Sequence, residues 1–196
     1  YLKLRDHFLN PVLLESNDFR RAESCYSIVG LHPMATFKVQ NQQVTRQLPD
    51  GSVETEMLTD PTAVSGLFQD FLQRFDVKKE NGPHVVNGFF GHTNFDGVQY
   101  FDTLKFDPDK RRFDIPDINY SLYQYVIVFN HFQEEVYILQ NMLNEEEENL
   151  EKVETLLYNH SFNTYNFELQ GEESSNLTDE EYKQLVSLGK KHCQLG

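Results

Sequence analysis

The 196-residue sequence is poor in basic residues, tryptophan and long hydrophobic runs, and these shortages exclude several classes of protein. Lysine and arginine number 17 against 31 acidic residues, which gives a formal net charge of −14. Nucleic acids and anionic membranes are bound largely through basic side chains, so we expect neither as a partner. No stretch approaches the roughly 20 apolar residues that a membrane-spanning helix needs.

Cysteine is also scarce, since the chain has only Cys25 and Cys193. Two distant cysteines do not indicate the disulfide framework of a secreted domain. The first residues lack the apolar core and cleavage site of a signal peptide, and the absence of an initial methionine indicates a trimmed N-terminus. We therefore expect a cytoplasmic location and a structural role for Cys25.

Motifs for catalysis and metal binding are missing as well. The sequence has no H-x-H, H-E-x-x-H, C-x-x-C or G-x-S-x-G motif and no P-loop lysine. The seven histidines are scattered, and the acidic residues at 145–148 are expected to be a solvated helix face. We predict no catalytic residue and no metal ligand in this chain.

Several segments have the composition of β-strands. Residues 26–41 predict two strands that separate at His32-Pro33, because proline cannot donate to a ladder. Residues 43–58 predict a polar, exposed hairpin with its turn at 49–52.

Further along, residues 84–106 predict two more strands, and 107–119 predict a polar loop. Residues 122–129 and 136–142 predict a strand pair whose first member is apolar enough to lie in the centre of a sheet.

Three helices are expected. The first begins at Asp60-Pro61 and carries apolar residues at helical spacing, Val64, Leu67, Phe68, Phe71, Leu72 and Phe75, before a charged loop at 78–83. The second starts near Asn144, and the third starts at a capping box formed by Thr178 and Glu181. Strands and helices occur in local groups, which predicts an α+β fold with largely antiparallel sheets and packed helices.

Two motifs stand above this background. Pro11 and the run Leu13-Leu14-Glu15-Ser16 precede the run 26–30, which reads Tyr-Ser-Ile-Val-Gly. The second motif, residues 88–102, is named the glycine segment here and contains Gly88, Gly91, Asp96 and Val98.

Both motifs resemble the N-terminal domain of anthranilate synthase component I, and the resemblance covers nearly the whole chain. In the glycine segment the spacing is kept while four side chains differ from the family pattern: His92, Phe95, Gln99 and Asp102. For Gly91 and Gly97 we expect tight turns that need a positive φ. The alternative is a rigid hairpin at a domain interface.

The resemblance implies that residues 1–176 are a regulatory domain. Residues 177–196 would begin a helix that leads into a missing C-terminal chorismate-binding domain. The full-length protein would then convert chorismate and ammonia to anthranilate, a lyase reaction of tryptophan biosynthesis. It would use Mg²⁺ and a glutamine amidotransferase subunit, component II. The fragment itself is expected to be inactive and to need no cofactor.

The resemblance also implies a site for feedback inhibition by L-tryptophan. Glu15, Ser16, Tyr26 and Ser27 would bind the amino acid, with a direct hydrogen bond from Ser16, while the pocket wall would comprise Leu13, Leu14 and Ile28. A carboxylate suits an ammonium group, hydroxyls suit a carboxylate, and leucine and isoleucine suit an indole ring.

Two other interpretations stay open. The same domain occurs in the large subunit of aminodeoxychorismate synthase, which serves folate synthesis. A stand-alone small-molecule-binding module is the other, and it predicts a natural stop codon near Gly196.

Overall fold

The computed structural model describes residues 1–16, 25–76, 87–111, 113–143 and 149–195. The chain divides into two units, Tyr1–Asn163 and Thr164–Gly196. The strands of the first unit are β1 (Val12–Glu15), β2 (Tyr26–Gln40), β3 (Gln43–Gln47), β4 (Val53–Met57), β5 (Phe89–Thr93), β6 (Ile118–Asn130) and β7 (Glu135–Gln140). Its helices are α1 (Val64–Leu72) and α2 (Glu151–Tyr158).

Two long central strands, β2 and β6, organise a single antiparallel sheet. They pair from Tyr26 opposite Asn130 to Val39 opposite Ile118. β1 and β3 share the outer edge of β2, whereas β5 and β7 share the outer edge of β6. The predicted α+β class and the central position of 122–129 are confirmed. β6 begins earlier than expected, because Ile118 lies inside the segment predicted to be a loop.

The expected break at His32-Pro33 is wrong, since β2 continues through it. His32 has a positive φ of 58°, and the register with β6 shifts between Pro33 and Ala35, so a bulge absorbs the irregularity. Along the edge that pairs with β1 and β3, the described ladder stops at Gly30 and resumes at Thr36. The proline therefore lies where this edge has no partner among the described residues.

The predicted hairpin is present as β3 and β4, but it is only partly exposed. Val44 is fully buried, and Arg46 is 7% exposed on the same face of β3. The Arg46 guanidinium lies 2.6 Å from a Glu56 carboxylate oxygen, so its charge is compensated. The expectation of an exposed hairpin is wrong for this inner face, which packs on the core.

Helix α1 begins as the sequence predicts. The Asp60 carboxylate accepts a hydrogen bond from the Thr62 amide at 2.9 Å, and Pro61 starts a 3₁₀ turn that leads into the helix. The apolar stripe faces the sheet: Phe71 is fully buried, with its ring centroid 5.7 Å from that of Phe37. This helix covers the half of the sheet formed by β3, β5 and the adjoining parts of β2 and β6.

The second strand predicted within 84–106 is wrong. After β5 the chain enters a 3₁₀ helix, Phe95–Tyr100, instead of a strand. The Asn94 side chain caps this helix by accepting a hydrogen bond from the Gly97 amide at 2.9 Å. An asparagine cap of this kind competes with strand formation, which explains the difference.

The positive φ expected at Gly91 and Gly97 is also wrong, since neither is among the glycines with that conformation. A Cβ at Gly91 would lie 1.8 Å from the carbonyl oxygen of Asn119 on β6. A Cβ at Gly97 would lie 2.5 Å from the Thr93 side chain. Both glycines permit a close approach of neighbouring chain rather than a special turn.

Helix α2 and the N-terminal turn cover the other half of the sheet. Val153 of α2 and Leu4 are buried against Ile127. The Lys3 ammonium donates to the Leu157 carbonyl at 2.7 Å, which ties the turn to the helix. The predicted helix start near Asn144 and the whole of the predicted loop at 78–83 fall outside the described residues, in which α2 begins at Glu151.

The second unit contains α3 (Asp179–Leu195). Its predicted capping box is confirmed: Thr178 donates from its amide to the Glu181 carboxylate at 2.8 Å, and Glu181 donates back to the Thr178 hydroxyl at 3.3 Å. In the described parts of the chain, no helix is long and apolar enough to cross a membrane.

Candidate functional site

The four predicted tryptophan-binding residues come from adjacent ends of β1 and β2. Glu15 lies directly opposite Ser27 in the antiparallel register. One residue further, the Ser16 amide donates to the Tyr26 carbonyl at 3.1 Å. Ser16 and Tyr26, ten residues apart in the sequence, are therefore neighbours in the fold.

Strand alternation divides the predicted residues between the two faces of the sheet. Residues opposite each other share a face, and successive residues alternate. Leu13, Glu15 and Ser27 therefore lie on what is named the first face. Leu14, Ser16, Tyr26 and Ile28 lie on the second face. The seven predicted residues therefore do not line a single pocket.

The first face places an apolar pair beside a polar pair. Leu13 is 37% exposed and lies opposite Val29, which is 1% exposed. Glu15, which is exposed, lies opposite Ser27, which is 8% exposed. Opposite residues have Cβ atoms about 5 Å apart, so a ligand beside Glu15 can also reach Ser27 and Leu13, whereas Val29 packs in the core with Leu4 and Ile127.

The second face is occupied by core packing. Tyr26 and Ile28 pack against the buried side chains of Val126 and Val128 on β6. The half-buried Tyr26 ring therefore covers part of the second face of the sheet. Ser16 is exposed just beyond the end of β1, and its carbonyl accepts a hydrogen bond from the Cys25 thiol at 3.4 Å.

Sequence reasoning missed His131, which completes the polar end of the first face. Its Nε2 atom lies 2.7 Å from the Ser27 hydroxyl oxygen, although 104 residues separate the two in sequence. Ser27 pairs with Phe129 on β6, and His131, two residues later, therefore lies on the same face. Only the β2–β6 register could have revealed this contact.

The glycine of the Tyr-Ser-Ile-Val-Gly motif has a packing reason. A Cβ at Gly30 would lie 2.7 Å from Cγ of Tyr123 and 2.9 Å from a methyl group of Val12. The tyrosine ring therefore rests directly on the glycine. Burial raises the pKa of Tyr123, as expected for a phenol removed from water.

A second polar group that the sequence did not indicate lies at the start of β6. Asp117 is 1% exposed; one of its carboxylate oxygens accepts from the Tyr100 hydroxyl at 2.8 Å, and the other accepts from Arg111 at 2.9 Å and from Asn94 at 3.2 Å. Burial, together with the hydrogen bond to Asp117, raises the pKa of Tyr100 above its ordinary range. This compensated network fixes the glycine segment against β6.

Three of the four side chains that depart from the family pattern form hydrogen bonds with backbone atoms. Gln99 donates to the Asp96 carbonyl at 2.8 Å, and His92 lies 3.3 Å from the Pro116 carbonyl oxygen. Asp102 accepts from the Thr103 amide at 2.6 Å. None of these three contacts is an ion pair.

The described residues contain no group of three or more His, Cys, Asp or Glu side chains that could hold a metal ion. No step of the chemistry proposed below involves a metal ion held by this chain.

Three relatives are named as anthranilate synthase chains. An anthranilate synthase component 1 of Acinetobacter calcoaceticus is 24% identical over 162 residues, which are 80% of this chain and 32% of the relative. One of Pseudomonas putida is 32% identical over 134 residues, 67% of this chain and 26% of the relative. The chloroplastic anthranilate synthase alpha subunit 2 of Arabidopsis thaliana is 28% identical over 121 residues, 58% of this chain and 19% of the relative.

A solved structure of anthranilate synthase component I from Streptococcus pneumoniae TIGR4 aligns with a TM-score of 0.45 at 21% identity. The alignment covers 74% of this chain and 30% of that chain. The chain thus spans about a third or less of the length of the relatives it matches.

The family assignment comes from nearly the whole length of the chain. A family model described as chorismate binding enzyme matches residues 11–196, which include both motifs, the central strands and α3. The resemblance to anthranilate synthase component I drawn from the sequence is confirmed by the relatives. The chain belongs to the chorismate binding enzyme family.

Proposed function

We propose that this chain is the amino-terminal regulatory part of an anthranilate synthase component I, and that it carries part of a feedback site for L-tryptophan. Residues 1–176 would form the regulatory domain and 177–196 the start of the link to the catalytic part. The complete protein would convert chorismate and ammonia to anthranilate and pyruvate, with a component II amidotransferase supplying the ammonia. The family membership and the names of the relatives support this proposal.

The observation that carries the feedback site is the pairing at the end of β1. On the first face, an exposed carboxylate at Glu15 lies opposite the Ser27 hydroxyl, and Leu13 is the next residue on that face. The carboxylate accepts hydrogen bonds from an ammonium group, the hydroxyl donates to a carboxylate, and the leucine packs against an aromatic ring. These are the three parts of a free aromatic amino acid.

Ser16 has a separate place in the proposal. Its exposed hydroxyl lies beyond the last ladder pair of β1, beside Glu15. A ligand that reaches around the strand end can contact it, so Ser16→Ala is expected to weaken tryptophan binding about ten- to hundredfold. Unchanged affinity would remove Ser16 from the site and leave Glu15 and Ser27 as the contacts.

The test uses the emission of free tryptophan, because the chain contains none of its own. L-Tryptophan is titrated with the chain, and its emission and equilibrium dialysis are followed together. Glu15→Gln is expected to weaken binding about ten- to hundredfold, since a charge-assisted hydrogen bond contributes roughly 1.5–3 kcal/mol. Glu154→Gln, an exposed acid on α2, is the matched control and should change nothing.

A second pair of variants addresses the apolar contact. Leu13→Ala is expected to weaken binding severalfold, whereas Leu9→Ala, which alters a leucine that is 68% exposed, should not. If neither this chain nor the full-length protein binds tryptophan at millimolar concentration, the feedback site is refuted. Anthranilate formation by the chain alone, detected by its fluorescence, would refute a catalytic centre outside it.

A further inference from the structure

The contact between His131 and Ser27 has features of a positioning interaction. The Ser27 hydroxyl is on a nearly buried residue, while the histidine is exposed. The 2.7 Å separation between Nε2 and the hydroxyl oxygen is that of a good hydrogen bond. Core packing does not explain an exposed ring held in this way.

The fold determines where the ring lies. The His131 amide donates to the Cys25 carbonyl at 3.1 Å and so extends the pairing of β6 with β2 by one step. The preceding residue, Asn130, is 6% exposed, and its side-chain oxygen accepts from the amides of Phe132 and Gln133, both at 3.1 Å. Its side-chain nitrogen donates to the Gln133 side chain at 2.5 Å. This turn presents the imidazole to Ser27.

The hydrogen bond with His131 determines whether the Ser27 hydroxyl can still donate a hydrogen bond to a ligand. A serine offers one hydrogen and two lone pairs, and an imidazole nitrogen either donates or accepts. When His131 donates from Nε2, the serine oxygen accepts and its hydrogen is free to point at an anion. Glu15, opposite Ser27 on the same face, can only accept when ionised. Ser27 then donates a hydrogen bond to a ligand, and Glu15 accepts one from it.

We propose that His131 is a positioning residue that aims the Ser27 hydroxyl at the α-carboxylate of the bound amino acid, while Glu15 takes its ammonium group. This proposal rests on the proposed function, because it concerns the same site. It makes the site selective for ligands that keep the carboxylate, and it assigns that selectivity to a residue just after the end of β6, beside the start of β2.

The experiment compares two ligands and three variants of the full chain. L-Tryptophan carries both head groups, whereas tryptamine lacks the carboxylate, and each is measured by its own indole emission and by dialysis. His131→Ala is expected to weaken L-tryptophan binding about tenfold and to leave tryptamine binding unchanged. His131→Gln, which keeps an N–H donor at a similar reach, should restore binding to within about threefold of wild type.

The control and the contrary outcomes separate this proposal from the one on which it depends. His160→Ala, at another exposed histidine, should bind both ligands like wild type. An equal loss for both ligands in His131→Ala, or a loss that His131→Gln shares, indicates a purely structural role and overturns the positioning role. No loss for either ligand overturns it as well. Wild-type protein that binds neither ligand, both as this chain and at full length, refutes the feedback site itself.

Discussion

Gly91 gives the sharpest test of the packing described for the sheet. Its Cβ, if present, would lie 1.8 Å from the Asn119 carbonyl oxygen and 2.7 Å from the Tyr120 Cα. Both are backbone atoms of β6, which cannot rotate away as a side chain can. Restoring a separation of at least about 3 Å would move β5 from β6 by more than about 1 Å and break ladder hydrogen bonds.

The expected cost of Gly91→Ala follows from these distances. Overpacking a core position costs typically 1–3 kcal/mol, and each lost hydrogen bond adds about 1 kcal/mol. We expect a loss of about 4 kcal/mol in the free energy of unfolding. Domains of this size have about 5–15 kcal/mol in total, so the variant should lose between about a quarter and four-fifths of its stability.

Gly66→Ala is the matched control, because the same methyl group is added to the same residue type. Gly66 lies in α1, and no atom lies within 4 Å of its added Cβ. Alanine favours a helix over glycine, so this variant should gain about 0.5–1 kcal/mol. Urea unfolding followed by circular dichroism measures both. A loss below about 1 kcal/mol in Gly91→Ala would refute the close approach of β5 to β6.

Two further predictions concern tyrosines. An unfolded tyrosine ionises near pH 10 while Tyr100, held by burial and Asp117, keeps its proton, so stability should fall by up to about 1.4 kcal/mol per pH unit above pH 10. Tyr100→Phe should flatten that fall in alkaline urea titrations; an unchanged slope would contradict the assignment. Gly30→Ala should cost about 1–3 kcal/mol, less than Gly91→Ala, because the Tyr123 ring that it meets can shift; equal costs would contradict this.

The sequence predicts best those elements whose signals are local. The start of α1 was predictable because Asp60 and Pro61 carry the capping information themselves. The capping box of Thr178 and Glu181 is equally self-contained. Central strand β6 was recognisable from its apolar run, although its first residues were not, because Ile118 follows a polar segment.

Errors arose where the deciding contact is distant in sequence. His32-Pro33 breaks no strand, because β6 pairs with β2 on both sides of the bulge. Residues 95–100 form a 3₁₀ helix because Asn94 caps it, and Asn94 also donates to Asp117 across 23 residues. The strand propensity of these two segments could not reveal the pairing of β2 with β6 or the contact of Asn94 with Asp117.

The candidate site depends both on local sequence motifs and on contacts between residues distant in sequence. The pairing of Glu15 with Ser27 needs a ladder that spacing cannot fix, since shifting the register by one residue would exchange the two faces. For the same reason, the residues of one sequence motif separate into two roles. Tyr26 and Gly30 of the motif serve the packing of β2 against Val126 and Tyr123, while Ser27 between them faces Glu15 and His131. A motif of this kind therefore identifies which two strands pair. Which of its residues lie on the first face follows only once the register is known.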